Sequence, residues 1–343
     1  MKVGMGIRED NRLNKDYLQF VKQIGASHAV VFMPDKQILP SCESAPWSVD
    51  ELLSLKKFYN ENGLQLEGFE NFDPRRYYKV LLGMPGKEPH MDYIKYCVQN
   101  MGKAGIPVMG YNFSLAGVEG HIQGPYSRGG AKTVRFSVDE APIDEPIPLG
   151  TVFKRVVMPD APKGGLPDVS LEEITQRYDW FLSQILPVAE EAGVKMCAHP
   201  DDPPVPVMRR TARRLINTAA YDEMFAKFPS TSNCVEFCQG TFGEMGVDVY
   251  DTIRHFCKQD KIGYVHFRNI TGTIPAYTEV FIDEGDMDMV ESLKVYKECG
   301  YKGLLMPDHT PLVNSLNPTE TGMAYAIGYI RGIMKTLDIE IDE

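Results

Sequence analysis

Four residues with good metal-binding chemistry stand at equivalent places in the second half of the chain. His199 ends the apolar run that begins at Val194, and Cys238 follows Val235-Glu236-Phe237. His266 follows Tyr264-Val265, and Asp308 follows Leu304-Leu305-Met306-Pro307. Two imidazoles, a thiolate and a carboxylate can surround a divalent cation and leave positions open for a substrate. A strand rises about 3.3 Å per residue, so one strand rarely supplies two ligands to one small ion. Adjacent parallel strands lie about 4.8 Å apart, and one residue from each can meet over a common point. By the same arithmetic Cys234 and Cys238 are about 13 Å apart and do not share an ion. A lone strand histidine is ordinarily a hydrogen-bonded core residue, and a lone cysteine a small buried hydrophobe. Four such residues at successive strand ends read differently, as a metal site. The other histidines, His28, His90, His121 and His255, show no partners of this kind in the sequence.

Strands must place these residues, and the chain supplies them in a regular order. Short apolar runs fall at 3–7, 28–32, 64–69, 107–113, 194–199, 234–237, 263–268 and 303–307. Amphipathic stretches alternate with them at 15–24, 49–62, 91–103, 171–192, 247–258, 287–299 and 319–337. Ser48 with Glu51 three residues on forms a capping box at one helix start. Gly63, Gly105, Gly193 and Gly300 fall just past helical runs, where left-handed caps are expected. Eight strand–helix units predict an α/β fold, a (β/α)₈ TIM barrel, as one domain over residues 1–343. An open dinucleotide-binding sheet is the weaker reading, because Gly4-Met5-Gly6 leads into Arg8-Glu9-Asp10 without a third glycine. Residues 114–170 break the alternation and are rich in Gly and Pro. They are expected to form a long insertion after the fourth strand that caps the active site or reaches a neighbouring subunit.

Composition narrows the partners. The net charge is −11, with 36 basic and 47 acidic residues, and the pI is near 5.2. Nucleic-acid binding needs clustered positive charge. The one dense basic group, Arg209-Arg210 and Arg213-Arg214, reads at helical spacing as a solvated or interface face. No apolar stretch has the roughly 18 residues of a membrane span, and no leader pattern opens the chain. The seven scattered cysteines lack CxxC spacing and suit reduced thiols. A cytoplasmic enzyme is expected, with a small-molecule substrate and no nucleic-acid or membrane partner.

Motif order adds a resemblance. Asn100-Met101-Gly102-Lys103-Ala104-Gly105 leads to Tyr111-Asn112-Phe113, and Ile185-Leu186-Pro187-Val188-Ala189-Glu190-Glu191 leads to His199-Pro200-Asp201-Asp202-Pro203-Pro204. Phe237-Cys238-Gln239-Gly240-Thr241-Phe242, Val265-His266-Phe267-Arg268-Asn269 and Pro307-Asp308-His309 follow in turn. In this set the chain resembles the mannonate dehydratases, barrels related to xylose isomerase, over most of its length. The resemblance implies dehydration of D-mannonate to 2-keto-3-deoxy-D-gluconate, and a homo-oligomer is expected. It implies Mn²⁺ as cofactor, held by His199, Cys238, His266 and Asp308. A thiolate ligand would equally suit Fe²⁺, Co²⁺ or Zn²⁺. The acid/base pair falls on His309 and Tyr325, with Tyr329 one helical turn on as a competitor. Substrate contacts fall on Arg8, Asn112, Arg268 and Asn269.

Two departures bear on the substrate. The family usually has arginine where this chain has Met306, before Pro-Asp-His, and again at Met323. The stretch after Phe113 reads Ser114-Leu115-Ala116-Gly117 and lacks the usual Trp-Thr-Arg. Lost charge near an anion site predicts a weak mannonate dehydratase or one that prefers another sugar acid. Arg8, Arg128, Lys132 and Arg268 are the basic residues available to compensate. The rival readings are a metal-dependent sugar isomerase or epimerase on the same barrel, and a non-catalytic sugar-acid-binding homologue.

Overall fold

The computed structural model describes residues 1–342. Eight parallel strands close into a barrel: β1 (Lys2–Ile7), β2 (His28–Phe32), β3 (Gln65–Glu70), β4 (Val108–Tyr111), β5 (Lys195–Ala198), β6 (Asn233–Cys238), β7 (Ile262–His266) and β8 (Leu304–Met306). Closure comes from β1, which pairs with β2 on one side and with β8 on the other. These are the eight expected runs, shifted at their ends by a residue or two.

The surrounding helices are α1 (Lys15–Gln23), α2 (Val49–Glu61), α3 (Pro74–Leu82), α4 (Lys87–Ala104), α5 (Leu171–Ala192), α6 (Thr218–Lys227), α7 (Gln239–Glu244), α8 (Val249–Lys258), α9 (Met289–Glu298) and α10 (Pro318–Thr336). The Ser48 hydroxyl accepts the Glu51 N–H, and the Glu51 carboxylate accepts the Ser48 N–H, which completes the capping box of α2. Three helices, α3, α6 and α7, were not expected.

Period-two alternation sorts the strand side chains. On β6, Phe237 points outward and stacks on Phe242 with ring centroids 4.5 Å apart. Its neighbours Glu236 and Cys238 therefore face the barrel interior. On β7 the outward residues include Val265, while Tyr264 and His266 face inward. A lumen cluster of Val30, Val108, Cys197, Cys234, Tyr264, Leu304 and Met306 fills the barrel centre.

Residues 114–170 carry their own strands. Ile122–Ser127 and Ala131–Ser137 pair antiparallel, and the second strand pairs with Ala276–Val280, part of a hairpin with Asn269–Thr273 that follows β7. The four strands form one sheet. It stands against the C-terminal rim, because Glu279 meets His309 at 2.7 Å and the Leu312 N–H donates to the Lys132 carbonyl at 2.7 Å. The basic group at 209–214 is not helical. Val207–Met208 and Thr211–Ala212 form a tight hairpin with Arg209 and Arg210 in left-handed conformations. Arg213 is buried against Asp201. No helix among the described residues is long and apolar enough to cross a membrane.

Candidate active site

Because β5 to β8 are adjacent in the barrel, their C-terminal ends converge. His199, Cys238 and His266 offer ligand atoms that lie within 4.8 Å of one another, all buried. Register explains part of this, since Cys238 is directly paired with His266 across β6 and β7. Asp308 follows β8, and its Oδ2 lies 3.6 Å from His266 Nδ1. The four residues read from the sequence as ligands are therefore neighbours over one end of the barrel.

Second partners orient the two imidazoles. His199 Nδ1 is 2.6 Å from the Pro200 carbonyl oxygen, which makes it the protonated nitrogen and leaves Nε2 the one that could ligate an ion. His266 Nε2 faces two acids inside the barrel, Glu236 at 3.2 Å and Glu70 at 3.4 Å. A carboxylate behind a ligating histidine is a recurrent device for fixing its tautomer and ring angle. Room for these acids comes from β4. A Cβ at Gly110 would collide with the Tyr264 hydroxyl and the Glu236 carboxylate.

The electrostatics suit a cation. Burial alone would raise the Cys238 thiol, but Arg268, His199 and His266 outweigh it and hold it well below the usual thiol range. Burial opposes protonation of His199, yet Glu236 and Cys238 raise it to about 10. Burial, reinforced by Glu70, raises Glu236 to about 8 against the pull of His266 and His199. Both His266 ring nitrogens and both Glu236 carboxylate oxygens are buried without a well-aligned hydrogen bond, although His266 makes ion-pair contacts to Glu236, Glu70 and Asp308 at 3.2–3.6 Å. Buried polar atoms are ordinarily satisfied, so this group of orphans beside a thiolate fits a site that an ion completes.

His309 sits beside the quartet. Its Nε2 is 2.9 Å from Asp308 Oδ2, and its Nδ1 is 2.7 Å from Glu279 Oε2. Burial works against its protonation, but Asp308 and Glu279 together raise it to about 10. Tyr325 lies elsewhere. Its ring packs 6.0 Å from Phe281, and its phenol interacts with Asp283 and Arg128. Among the described residues no contact joins it to His309 or to the quartet. Tyr329 stacks beside it at 6.4 Å.

The residues expected to meet substrate are placed unequally. Arg8 is half exposed and reaches Asp308 at 3.1 Å. The Asn112 side-chain amide makes no hydrogen bond among the described residues. Arg268 is beside the ligands but is taken up by Asp202 at 2.9 Å, Glu244 at 3.0 Å and Glu279 at 3.5 Å. The Asn269 amide donates to the Ile282 and Met287 carbonyls, and its oxygen accepts the Ile270 and Met287 N–H groups. That leaves Asn269 no donor for a substrate. Met306 is buried in the lumen in register with His266.

Several functional neighbours were not foreseen. Glu70 and Glu236 carried a signal, since each is a carboxylate inside an apolar strand. Glu279 carried none, because its hairpin was not expected. His121 is corrected here: its Nε2 is 2.7 Å from the Tyr277 hydroxyl and 3.4 Å from Asp202.

A closed (β/α)₈ barrel with histidines, a thiolate and carboxylates gathered at the C-terminal rim defines a class of enzyme that works on small polar substrates at that rim. The profile of the family described as D-mannonate dehydratase (UxuA) matches residues 14–342. The chain belongs to that family, a family of hydro-lyases. It is 28% identical over 321 residues to a mannonate dehydratase of Thermotoga petrophila, covering 85% of this chain and 87% of that protein. The crystal structure of mannonate dehydratase from Streptococcus suis serotype 2 superposes with a TM-score of 0.79 at 24% identity, covering 100% of this chain and 97% of the other. A D-psicose 3-epimerase from Clostridium cellulolyticum shares the fold at a TM-score of 0.56 and 14% identity, over 97% of this chain and 99% of the other.

Proposed function

We propose that this chain is a cytoplasmic, metal-dependent hydro-lyase of sugar acids. It converts D-mannonate or a close analogue to the 2-keto-3-deoxy acid by loss of the C2 proton and the C3 hydroxyl. The observation that carries this reading is the meeting of His199, Cys238, His266 and Asp308 with His309 directly beside them. A divalent ion, manganese on family grounds, would supply Lewis-acid stabilisation of the negative charge that develops on substrate oxygens. The chain's own groups handle protons. Glu279 is kept ionised by His309 and Arg268 in spite of its burial, and it holds His309 Nδ1 as a donor. His309 Nε2, which meets Asp308 Oδ2 at 2.9 Å, is then the nitrogen that would exchange a proton with substrate in place of that contact. Raised basicity suits His309 to donating that proton to the departing C3 oxygen. Tyr325 remains the second acid/base candidate on resemblance alone, since its partners are Phe281, Asp283 and Arg128 and among the described residues it touches neither His309 nor the quartet. The Asn112 amide is the substrate contact with capacity left over, whereas Arg8, paired with Asp308 at 3.1 Å, reaches substrate only by leaving that carboxylate. Assembly into a homo-oligomer accompanies this reading.

The test is to incubate manganese-loaded protein with a panel of aldonic acids and assay for 2-keto-3-deoxy product. Product from mannonate or one close analogue is expected. An epimerised acid without keto-deoxy product would favour the epimerase reading, and no chemistry with any acid would leave the binding-protein reading.

A further inference from the structure

A second feature of the rim bears on which part of a substrate goes where. A cavity of about 280 Å³ opens beside His309 and Glu279, walled on its far side by His121, Gln123 and Lys132 of the cap sheet. None of His199, Cys238, His266 or Asp308 lines it. A roomier hollow of about 560 Å³ lies elsewhere, bordered by Met1, Tyr301 and Asp342. It touches the end of the barrel where β1 begins, opposite the rim at which barrel enzymes do chemistry.

The smaller cavity is a built wall. Lys132 belongs to the strand Ala131–Ser137, and its carbonyl accepts the Leu312 N–H. The cap is thereby fixed to the loop that carries Asp308 and His309. The charges at the rim are unequal in what they have left to give. Arg8 is paired with Asp308, Arg128 with Asp283 at 2.8 Å, and Arg268 with four carboxylates. The Lys132 ammonium has no ion pair among the described residues.

We propose that this cavity is the subsite for the C5–C6 end of the sugar acid, and that Lys132 is its specificity-determining residue. The inference rests on the reading above, in which the carboxylate end lies at the quartet and C3 lies at His309. The remaining carbons then extend past His309 into the cavity that His121, Gln123 and Lys132 of the cap border. Lys132 and Gln123 meet hydroxyls there. A lysine ammonium donates charge-assisted hydrogen bonds to such oxygens, and these are stronger than neutral ones. The cap, more than the barrel, then sets the length of acid accepted.

The experiment compares Lys132→Met and Lys132→Arg with the unmodified protein, each loaded with manganese, using mannonate and a four-carbon aldonic acid that lacks C5 and C6. Calorimetric affinity is measured alongside kcat and KM. Lys132→Met should weaken mannonate binding and raise its KM about tenfold or more. Its kcat and its bound manganese should stay near normal, and Lys132→Arg should recover most of the affinity. The four-carbon acid should bind all three proteins alike. Equal losses for both acids, or none for either, would overturn the subsite. Because affinity is read separately from turnover, a protein that binds mannonate through Lys132 but forms no product would sink the dehydratase reading and leave the subsite standing.

Discussion

At the scale of single residues, His309 concentrates the most testable chemistry. It is clamped between Asp308 and Glu279, yet it is not one of the four residues that gather as ligands. His309→Asn should therefore keep its metal while losing roughly 10²–10⁴-fold in kcat, the usual worth of a general acid or base. A loss smaller than about tenfold would remove it from the mechanism. Glu279→Gln should reduce kcat in the same direction with less severity, because the amide still occupies the space but no longer anchors an imidazolium. By contrast, Asp308→Ala and His199→Ala should each be isolated with well under one ion per chain by elemental analysis. Full occupancy in both would refute the quartet. The four candidate ligands were legible in the sequence because each ends or follows an apolar run, whereas His309 was reached only through the family resemblance. The residues behind them were less so. Glu236 stood in plain view inside a strand, whereas Glu279 gave no sign before the fold brought the two ends of a 30-residue separation together.

At the scale of elements, the strands were readable because burial on both faces leaves short apolar runs, and the long helices because of their caps. What escaped was local structure set by tertiary partners. Helix α7 is a short buried turn capped by the candidate ligand Cys238 itself. The 207–212 hairpin hides in a basic cluster whose spacing imitates a helix, and Arg213 is drawn inward by Asp201, a partner invisible to periodicity. The hairpin at 269–280 is interrupted by Pro275, which masks the strand pattern. Strand β4 shows how closely one element depends on another. Gly110 leaves the space that Glu236 and Tyr264 occupy behind His266. Gly110→Ala should push them aside, costing about 1–3 kcal/mol of stability as overpacking does. It should lower metal affinity as well, because Glu236 no longer backs the imidazole. Thermal denaturation and metal titration of this variant check both effects, and normal values in both would show that the lumen has slack.

At the scale of the whole molecule, a bound metal and the fold would be linked. An ion that binds only the folded chain stabilises it by mass action, so removal with a chelator should lower Tm by several degrees. The same linkage has a pH sign. In the ion-free protein His199 is raised to about 10, so a proton must leave before the imidazole can ligate. Metal affinity should therefore fall toward acid and strengthen as pH rises, being tighter at about pH 8 than at about pH 6 in competition with a chelating dye. A flat profile would mean that the ion displaces no proton from His199 and that His199 is not a ligand. The cap sheet has a consequence of a different kind, for the order in which the protein acquires its shape. Ser137 pairs with Ala276 across about 140 residues of intervening chain, a long loop to close. During synthesis the Ala131–Ser137 strand must wait, with an unpaired edge, until most of the barrel has emerged behind it. The active-site wall is thus among the last pieces to find its partner, and a ribosome-stalled chain ending before residue 276 would carry most of the barrel strands and no finished cap.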